Sequence, residues 1–294
     1  MEVGAMLDES DIGYPPEGFW RDAVRYTRHH PLFAIGVGIA LITILLIPFG
    51  PMLAPFNPTT ADPNAILLGP SAQHWFGTDS SGFDVFSRVI AAPRIDVSVA
   101  LISTGISFVL GSIIGLFASF YEGWLGEVVM RSADVVQAFP LFVLAMIIVT
   151  TAGESLTALV FAIAFLNTPI FVRLMRSQVL SMKRRSFVDA ARATGNREWV
   201  IALRHVLPNC LEPGLIQASV TIGFAVILTA GLSFVGAGVR PPTAEWGSMI
   251  AADANSLILG EWWPSVFPGI AMSLSVLGFA ILGEGLQDIL GRRS

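Results

Sequence analysis

The sequence predicts an all-α integral membrane protein with about six transmembrane helices. Hydrophobic residues make up 53% of the 294 residues and charged residues only 13%, which is more apolar side chain than one soluble core of this length needs. Six windows contain no charged residue, and each approaches or exceeds the roughly 20 residues that cross the hydrocarbon layer. These windows are residues 33–61, 97–121, 135–153, 155–172, 213–239 and 262–283.

The first window predicts an uncleaved transmembrane helix over residues 31–56. It is long for the apolar part of a signal peptide, and residues 53–56 do not form a small-residue cleavage site. Residues 1–30 before it are predicted to be a cytoplasmic tail. Within this tail, residues 1–18 are acidic and rich in Gly and Pro, whereas residues 19–30 carry aromatic and basic side chains in a pattern typical of an interfacial helix.

The distribution of basic residues predicts the orientation of the chain. Lysine and arginine stay preferentially on the cytoplasmic side of a membrane. With the N-terminus inside, 14 of the 17 basic residues fall in cytoplasmic segments, and only Arg88, Arg94 and Arg240 lie outside. The opposite orientation reverses this ratio, so both termini are predicted to be cytoplasmic.

The first extracytoplasmic loop, residues 57–94, is too long to be a mere connection. Ser81 is a plausible N-cap with Asp84 three residues on, and Pro93 is expected to end the helix that follows. The sequence therefore predicts a short amphipathic helix resting on the outer surface. Its apolar residues recur at helical spacing: Phe83, Phe86, Val89 and Ile90.

Two windows carry a small residue at every fourth position. Such stripes let helix backbones approach closely in lipid, where no hydrophobic force drives helices together. Packing within one subunit and a seam with a second subunit are both open at this point. The stripes are Ser103, Ser107, Gly111, Gly115 and Ser119 in the second window, and Thr221, Ala225, Thr229, Ser233 and Ala237 in the fifth.

The predicted cytoplasmic loop over residues 176–209 is strongly basic. Asp189 and Arg192 are paired at i,i+3 in a segment of helical propensity, and Gly195 with Asn196 are residue types that end a helix in a left-handed turn. The adjacent Ala190 and Ala191 present little bulk, so this helix is able to enter a groove of another protein. A docking element and a solvated loop whose charges only enforce topology remain alternatives from the residues alone.

A family resemblance favours the docking element. The stretch from Asp189 to Pro208 resembles the EAA signature of permeases in binding-protein-dependent ABC importers. It consists of Asp189-Ala190-Ala191, three residues, Gly195, nine residues, His205, one residue and Leu207-Pro208. That signature is Glu-Ala-Ala, three residues, Gly, nine residues, Ile, one residue and Leu-Pro, so this chain departs from it at Asp189 and His205. Further stretches are similar to the peptide and nickel branch, which usually has Arg in place of Phe83. They are 76–84 with Ser87-Arg88, 130–134 followed by Phe139-Pro140, 233–242 leading to 245–247, 267–269 and 283–288.

The resemblance implies a type I ABC importer permease fold, with residues 95–294 as a core domain of five transmembrane helices. It implies a bacterial cytoplasmic (inner) membrane protein that forms a heterodimeric path for short peptides with a homologous permease. Two ABC ATPase subunits would bind ATP and Mg²⁺, and an extracytoplasmic binding protein would deliver the substrate. Nickel chelates and glutathione are the alternative cargoes. The implied ATPase-coupling residues are Phe187, Asp189, Ala190, Ala191, Arg192, Gly195, Leu207 and Pro208.

Further candidate residues lie in the spans and the outer loops. Asn167 and Gln217 are uncharged polar residues inside spans, so they are expected either to face the translocation path or to hold helices together. Asp79 and Asp84 in the first outer loop and Trp246 in the second, residues 239–261, are candidate contacts for the binding protein. A cap or a solvated charge is the alternative for the two aspartates.

The chain is not expected to carry catalysis or a cofactor of its own. A P-loop needs Gly-Lys followed by Ser or Thr, but Lys183 is the only lysine and lies between Met182 and Arg184. The single cysteine, Cys210, excludes an internal disulfide and a cysteine metal cluster. No nucleic-acid footprint is evident. A channel or secondary transporter is the rival class, and it would usually show ionisable residues along its path, whereas the six windows contain none.

Overall fold

The computed structural model describes residues 26, 27, 29–120 and 123–291. The predicted tail and most of its interfacial helix lie outside these residues. The long helices are α1 (Pro31–Leu53), α3 (Pro93–Phe120), α6 (Leu156–Met182), α8 (Leu207–Phe234) and α10 (Trp263–Gly291). The shorter ones are α2 (Val85–Ala91), α4 (Trp124–Ala138), α5 (Leu141–Ala152), α7 (Ser186–Ala193) and α9 (Trp246–Ala252).

The described part of the chain contains five helical stretches long and apolar enough to cross a membrane. A sixth crossing is formed if α4 and α5 count as one span, although these helices meet at 92°. The prediction of an all-α membrane protein with about six spans is confirmed. The third predicted window, however, includes a sharp bend instead of a straight helix.

Pro140 explains this bend. The residue before a proline avoids the helical region, because the proline ring clashes with its backbone. Phe139 is accordingly extended, with φ −82° and ψ 145°, and Pro140 precedes the first turn of α5. Pro140 also lacks an N–H, so the α4 hydrogen-bond ladder has no donor with which to continue through this position.

The small-residue stripe of the second window packs inside this chain. In α3 a Cβ atom at Gly111 would lie 2.5 Å from Cβ of Phe171, and one at Gly115 would lie 2.6 Å from the carbonyl oxygen of Val172. Ser107 Oγ donates to the carbonyl of Ala164 at 3.1 Å. Of the two alternatives left open by the sequence, intramolecular packing of α3 on α6 is the one observed.

Helix α1 also approaches α10 closely at glycine positions. A Cβ at Gly278 would lie 2.7 Å from Cγ2 of Ile39, and one at Gly36 would lie 2.4 Å from Cγ2 of Ile281. Thr43 Oγ1 and Ser275 Oγ are 3.3 Å apart in a buried contact between the two helices. Only 22% of the most apolar part of α1 is buried, so most of this helix presents side chains outward.

The short helix of the first outer loop differs from its prediction in two respects. Its N-cap is Asp84, whose carboxylate accepts from the N–H of Ser87 at 2.8 Å, and not Ser81. Pro93 begins α3 instead of ending α2, because proline is tolerated at the first turn of a helix. Most of α2 is also buried, including Val85 and Val89, so it forms part of the core under the outer loops.

Candidate functional site

Helix α7 in the predicted cytoplasmic loop has one anchored face and one open face. Val188 and Ala191 are buried in a small apolar cluster. Phe187 is 40% exposed, and Asp189, Ala190 and Arg192 are exposed too. The other members of this cluster come from α3, α6, α8 and the turn before α8, including Leu116, Met175, Val179, Ile201, Val206 and Cys210. The helix is therefore held firmly while its outer face stays accessible.

Gly195 ends this segment as the sequence predicts. Its φ is +82°, a left-handed conformation that glycine adopts without steric cost. The Gly195 N–H donates to the carbonyl of Arg192 at 2.9 Å, and Asn196 donates to the carbonyl of Ala191 through its N–H at 3.3 Å and its Nδ2 at 3.1 Å. A Cβ at Gly195 would meet nothing within 4 Å, so glycine is favoured by the backbone angle and not by lack of space.

Arg192 forms ion pairs with acidic residues on both sides of the Gly195 turn. Its guanidinium donates to Glu198 Oε1 at 3.0 Å and to Asp189 Oδ1 at 3.3 Å. The hydrogen bond to Glu198 is the largest cause that raises the pKa of Arg192, and the Asp189 carboxylate acts in the same direction. The sequence identified the Asp189 partner from its i,i+3 spacing. Glu198 was missed, because it lies beyond the Gly195 turn.

The segment that follows is wound more loosely than an α-helix. One short turn, Glu198–Val200, leads into a π-helical turn, Ile201–Val206, and then into α8. The N–H of Leu207 donates to the carbonyl of Ala202, five residues back. Leu207 packs against the apolar cluster under α7, whereas Pro208 is exposed in the first turn of α8. The predicted coupling residues thus share one surface region around α7 and the start of α8.

Three basic residues near the end of α6 connect this region to α3 and α4. Lys183 Nζ donates to the carbonyls of Phe120 at 3.0 Å and Ser119 at 3.4 Å, at the last turn of α3. Arg176 donates to the carbonyl of Gly126 at 3.2 Å. Arg173 forms a 2.7 Å ion pair with Asp134 of α4. A cation at the C-terminus of a helix is favourable because it complements the free carbonyls there.

The predicted outer-loop residues are buried and internally bonded. Asp79 Oδ1 accepts from the N–H groups of Ser81 and Phe83, both at 2.9 Å. Burial raises the pKa of Asp79, and these amide hydrogen bonds act against that shift. Asp84 accepts from Ser87 and lies 2.8 Å from Nδ1 of His74. Asp84 caps α2 and Asp79 accepts N–H groups of its own turn, so contact of their side chains with a binding protein stays a prediction.

Arg88 is a functional candidate that sequence reasoning missed. Only 4% of the residue is exposed. Its guanidinium donates to the carbonyls of Pro58 and Pro242 at 3.1 Å and of Thr243 at 3.3 Å, and it lies 4.4 Å from the centroid of the Phe83 ring. Arg88 therefore ties the first outer loop to the second. Two signals were available: its position outside, against the general preference of basic residues, and its place in the Ser87-Arg88 pair that resembles the family.

The second outer loop closes on α3 through Trp246. Trp246 is 2% exposed, its backbone N–H donates to Asp96 Oδ2 at 3.0 Å, and its indole Nε1 donates to the carbonyl of Val89 at 3.1 Å. Glu245 caps α9 by accepting from the N–H of Gly247 at 2.9 Å and from that of Ser248 at 2.6 Å. Asp96 and Glu245 were not among the sequence candidates, and Asp96 is an ionisable residue inside a spanning helix.

The two uncharged polar residues predicted inside the spans, Asn167 and Gln217, differ in burial and in hydrogen bonding. Asn167 in α6 is fully buried, and neither atom of its amide group has a hydrogen-bond partner in the described part of the chain. Gln217 in α8 is half-buried and donates to Thr221 Oγ1 at 3.3 Å. Exposure of either side chain to a path stays a prediction, and for Asn167 it requires a movement of helices.

Comparison with known proteins places these features in a family. Residues 107–294 match the binding-protein-dependent transport system inner membrane component, and residues 18–70 match the N-terminal transmembrane domain of oligopeptide transport permease C. The chain belongs to this family of transport permeases. Its predicted coupling loop, bent third span and α8–α10 region all lie within the first match. The permease is consequently an integral protein of the inner membrane.

Curated relatives cover nearly the whole permease. It is 38% identical to the dipeptide transport system permease protein of Alkalihalophilus pseudofirmus over 92% of this chain and 89% of that protein. It is 34% identical to the glutathione transport system permease protein of Pectobacterium atrosepticum over 97% and 93% of the two chains. It is 37% identical to the probable D,D-dipeptide transport system permease protein of Escherichia coli over 88% and 87%. The resemblance that the sequence motifs indicated is confirmed.

Proposed function

We propose that the permease forms, with a homologous permease, a heterodimeric path for short peptides, and that an extracytoplasmic binding protein delivers the substrate to it. The observation that carries this proposal is the arrangement of α7, a short helix anchored by Val188 and Ala191 with an open outer face. Two separate ATPase subunits would bind ATP and Mg²⁺. The permease itself would transmit their movement without catalysing a reaction.

The open face of α7 is suited to a groove in an ATPase. Ala190 adds little bulk, Phe187 offers an aromatic side chain for an apolar recess, and Asp189 with Arg192 offers a charge pair beside it. The apolar cluster under α7 joins it to the ends of α3 and α6. A displacement of α7 would therefore move spanning helices instead of bending the loop alone. Nucleotide and loaded binding protein would bias two states of one assembly.

Short peptides are the proposed cargo because two of the reported relatives are named for dipeptides. Glutathione is the second candidate, favoured by the name of the third relative. A nickel chelate remains the further alternative within the branch. Asn167 and Gln217 are proposed to line the path in another state, and the surface around Asp79, Asp84 and Trp246 is proposed to meet the binding protein. We also propose the division into an N-terminal span, an outer loop and a core of residues 95–294.

The test is co-purification with ATPase subunits, followed by uptake. Ala190→Trp adds bulk to the open face of α7, whereas the control Ala152→Trp adds the same bulk at an exposed position at the far end of α5. We expect the wild type and Ala152→Trp to retain two ATPases and the second permease, and to drive ATP-dependent uptake of a labelled dipeptide in proteoliposomes. Ala190→Trp should lose the ATPases while it keeps the second permease.

Other outcomes would contradict separate parts of the proposal. Normal ATPase recovery and coupled uptake with Ala190→Trp would exclude α7 as the contact. A permease that purifies alone and moves solute without ATP would be a channel or secondary transporter. Uptake of glutathione that an excess of dipeptide does not reduce would assign the cargo to the glutathione alternative.

A further inference from the structure

Two carboxyl groups meet out of contact with solvent where α3 joins the second outer loop. Asp96 and Glu245 are both 0% exposed, and they accept from three consecutive backbone N–H groups, those of Trp246, Gly247 and Ser248, so the two carboxyl groups lie at the same turn. Two ionised carboxylates repel each other strongly when they are buried together, because neither has a proton to donate. We propose that the pair binds one proton, that Asp96 carries it, and that this proton is part of the joint between α3 and α9.

Hydrogen-bond geometry assigns the proton to Asp96. Both oxygens of Glu245 already accept backbone N–H groups, from Gly247 and Ser248 at the start of α9. Such N–H groups favour an ionised acceptor. Asp96 Oδ2 accepts the N–H of Trp246, but Oδ1 is buried and has no N–H or O–H partner in the described part of the chain. A proton on Oδ1 lets Asp96 donate to Glu245. Both oxygens of Glu245 then keep their backbone N–H donors as well.

The surrounding charges do not remove the need for this proton. Arg88 is the cation that acts electrostatically on Glu245, but it acts on Asp79 and Asp253 as well. One buried cation therefore faces three acids before Asp96 is counted. Asp84, the other buried acid of the outer loops, pairs with His74. With Asp96 protonated and Glu245 ionised, the pair carries a single negative charge, and Arg88 partly compensates it.

A proton fits this pair better than a metal ion does. Three of the four carboxylate oxygens accept backbone N–H groups, from Trp246, Gly247 and Ser248. These donors point toward the space in which a cation would need lone pairs, and hard cations take about six or more oxygen ligands. The backbone N–H groups stabilise one negative charge, and the proton neutralises the second carboxyl group.

The proton makes the stability of this joint depend on pH. While Asp96 keeps its proton and the unfolded chain does not, the folded permease binds one proton more, so its stability falls as pH rises until that proton has left. Loss of the proton would place two negative charges side by side between α3 and α9. The second outer loop would then separate from the spanning helix, because Trp246 is bound to both. The cargo of the permease plays no part in this assignment.

Two conservative substitutions distinguish the carboxyl groups. In Asp96→Asn the amide oxygen still accepts from Trp246 and the amide nitrogen donates to Glu245, so every hydrogen bond is kept without a titrating proton. In Glu245→Gln the new NH₂ group faces the N–H of Gly247 or Ser248, so one donor loses its acceptor. Asp79, Arg88 and Asp253 are unchanged in both variants and contribute equally to each.

The experiment compares melting temperatures between acidic and alkaline pH for the full-length permease, purified in detergent with its co-purifying subunits. We expect the wild-type melting temperature to fall at alkaline pH and Asp96→Asn to match it at acidic pH without that fall. Glu245→Gln should melt about 5 °C lower at every pH. In the infrared spectrum, the carbonyl stretch of a buried protonated carboxyl should be present in the wild type and absent from Asp96→Asn.

The opposite results would overturn the assignment. A tolerated Glu245→Gln with a destabilised Asp96→Asn would move the proton to Glu245. A wild-type spectrum without a protonated carboxyl band would mean that both groups are ionised. Absence of this band from the wild-type spectrum would overturn the assignment even if a variant fails to fold.

Discussion

Arg88 makes contacts that another cationic side chain does not reproduce. Its planar guanidinium reaches three main-chain carbonyls, from Pro58, Pro242 and Thr243, on two loops that are far apart in sequence. A lysine ammonium is a compact point charge and lacks this fork. Phe83 covers the guanidinium on one side, at the position where the peptide and nickel branch usually has Arg.

We predict that Arg88→Lys destabilises the permease although the charge is kept. The variant should lose about 2 kcal/mol of stability, since hydrogen bonds from a charged donor to buried carbonyls are replaced only in part. The exposed neighbour Arg94→Lys is the matched control and should melt like the wild type. Melting curves in detergent check this, and equal melting of the two variants would show that Arg88 acts only as a charge.

Residue-level prediction from sequence succeeded where the signal is local. Gly195 and Asn196 are residue types with a conformational preference of their own, so the left-handed turn was readable. Arg88 has no such signal, because its partners are main-chain carbonyls of distant segments and any residue supplies a carbonyl. The same reason hid Asp96, which acquires its role only when Trp246 and Glu245 are folded against it.

At the scale of elements, the end of α6 joins the predicted coupling loop to α3 and α4. Arg173, Arg176 and Lys183 recur at three- and seven-residue spacing, so they share one face of the helix. In the sequence, these cations predict the cytoplasmic side of the chain. The structure adds that each one also has a partner on α3 or α4.

We predict that Lys183→Met weakens the link between α7 and α3 in the assembled transporter. The last carbonyls of α3 would lose their cation, while the apolar stem of residue 183 is kept. Uptake should fall about tenfold relative to ATP hydrolysis, equivalent to roughly 1.4 kcal/mol of coupling. Arg184→Met, at an exposed neighbouring position, is the control. Parallel loss of uptake and ATP hydrolysis in Lys183→Met would indicate lost assembly instead of lost coupling.

At the scale of the whole molecule, α1 packs on α10 of the same chain through glycine contacts and the Thr43–Ser275 pair. The charge-free windows predicted the existence of both helices, because hydrophobic length is a property of each segment alone. Their pairing was not predictable from one sequence, since every span offers small residues. The 92° bend was likewise hidden, because Pro140 lies inside an uninterrupted apolar window.

We predict that Thr43→Cys with Ser275→Cys, in a Cys210→Ala background, forms a disulfide within one chain. The two hydroxyl oxygens are 3.3 Å apart, and a disulfide needs side chains that point at each other over such a distance. Oxidation should block thiol labelling without producing a dimer on a denaturing gel. Leu41→Cys, which is exposed, replaces Thr43→Cys in the control and should not react with position 275. Cross-linked dimers would mean that α1 packs on a neighbouring chain.

The π-helical turn between α7 and α8 has a consequence for insertions and deletions. A π-turn is an α-helix that holds one additional residue. Removing one residue from 201–206 would return this stretch to ordinary winding and keep the phase of the flanking helices, whereas a deletion in α3 would rotate every later side chain. Residues 201–206 lie inside the stretch that resembles the EAA signature, so such a deletion would change the spacing of that signature while α7 and α8 keep their relative orientation.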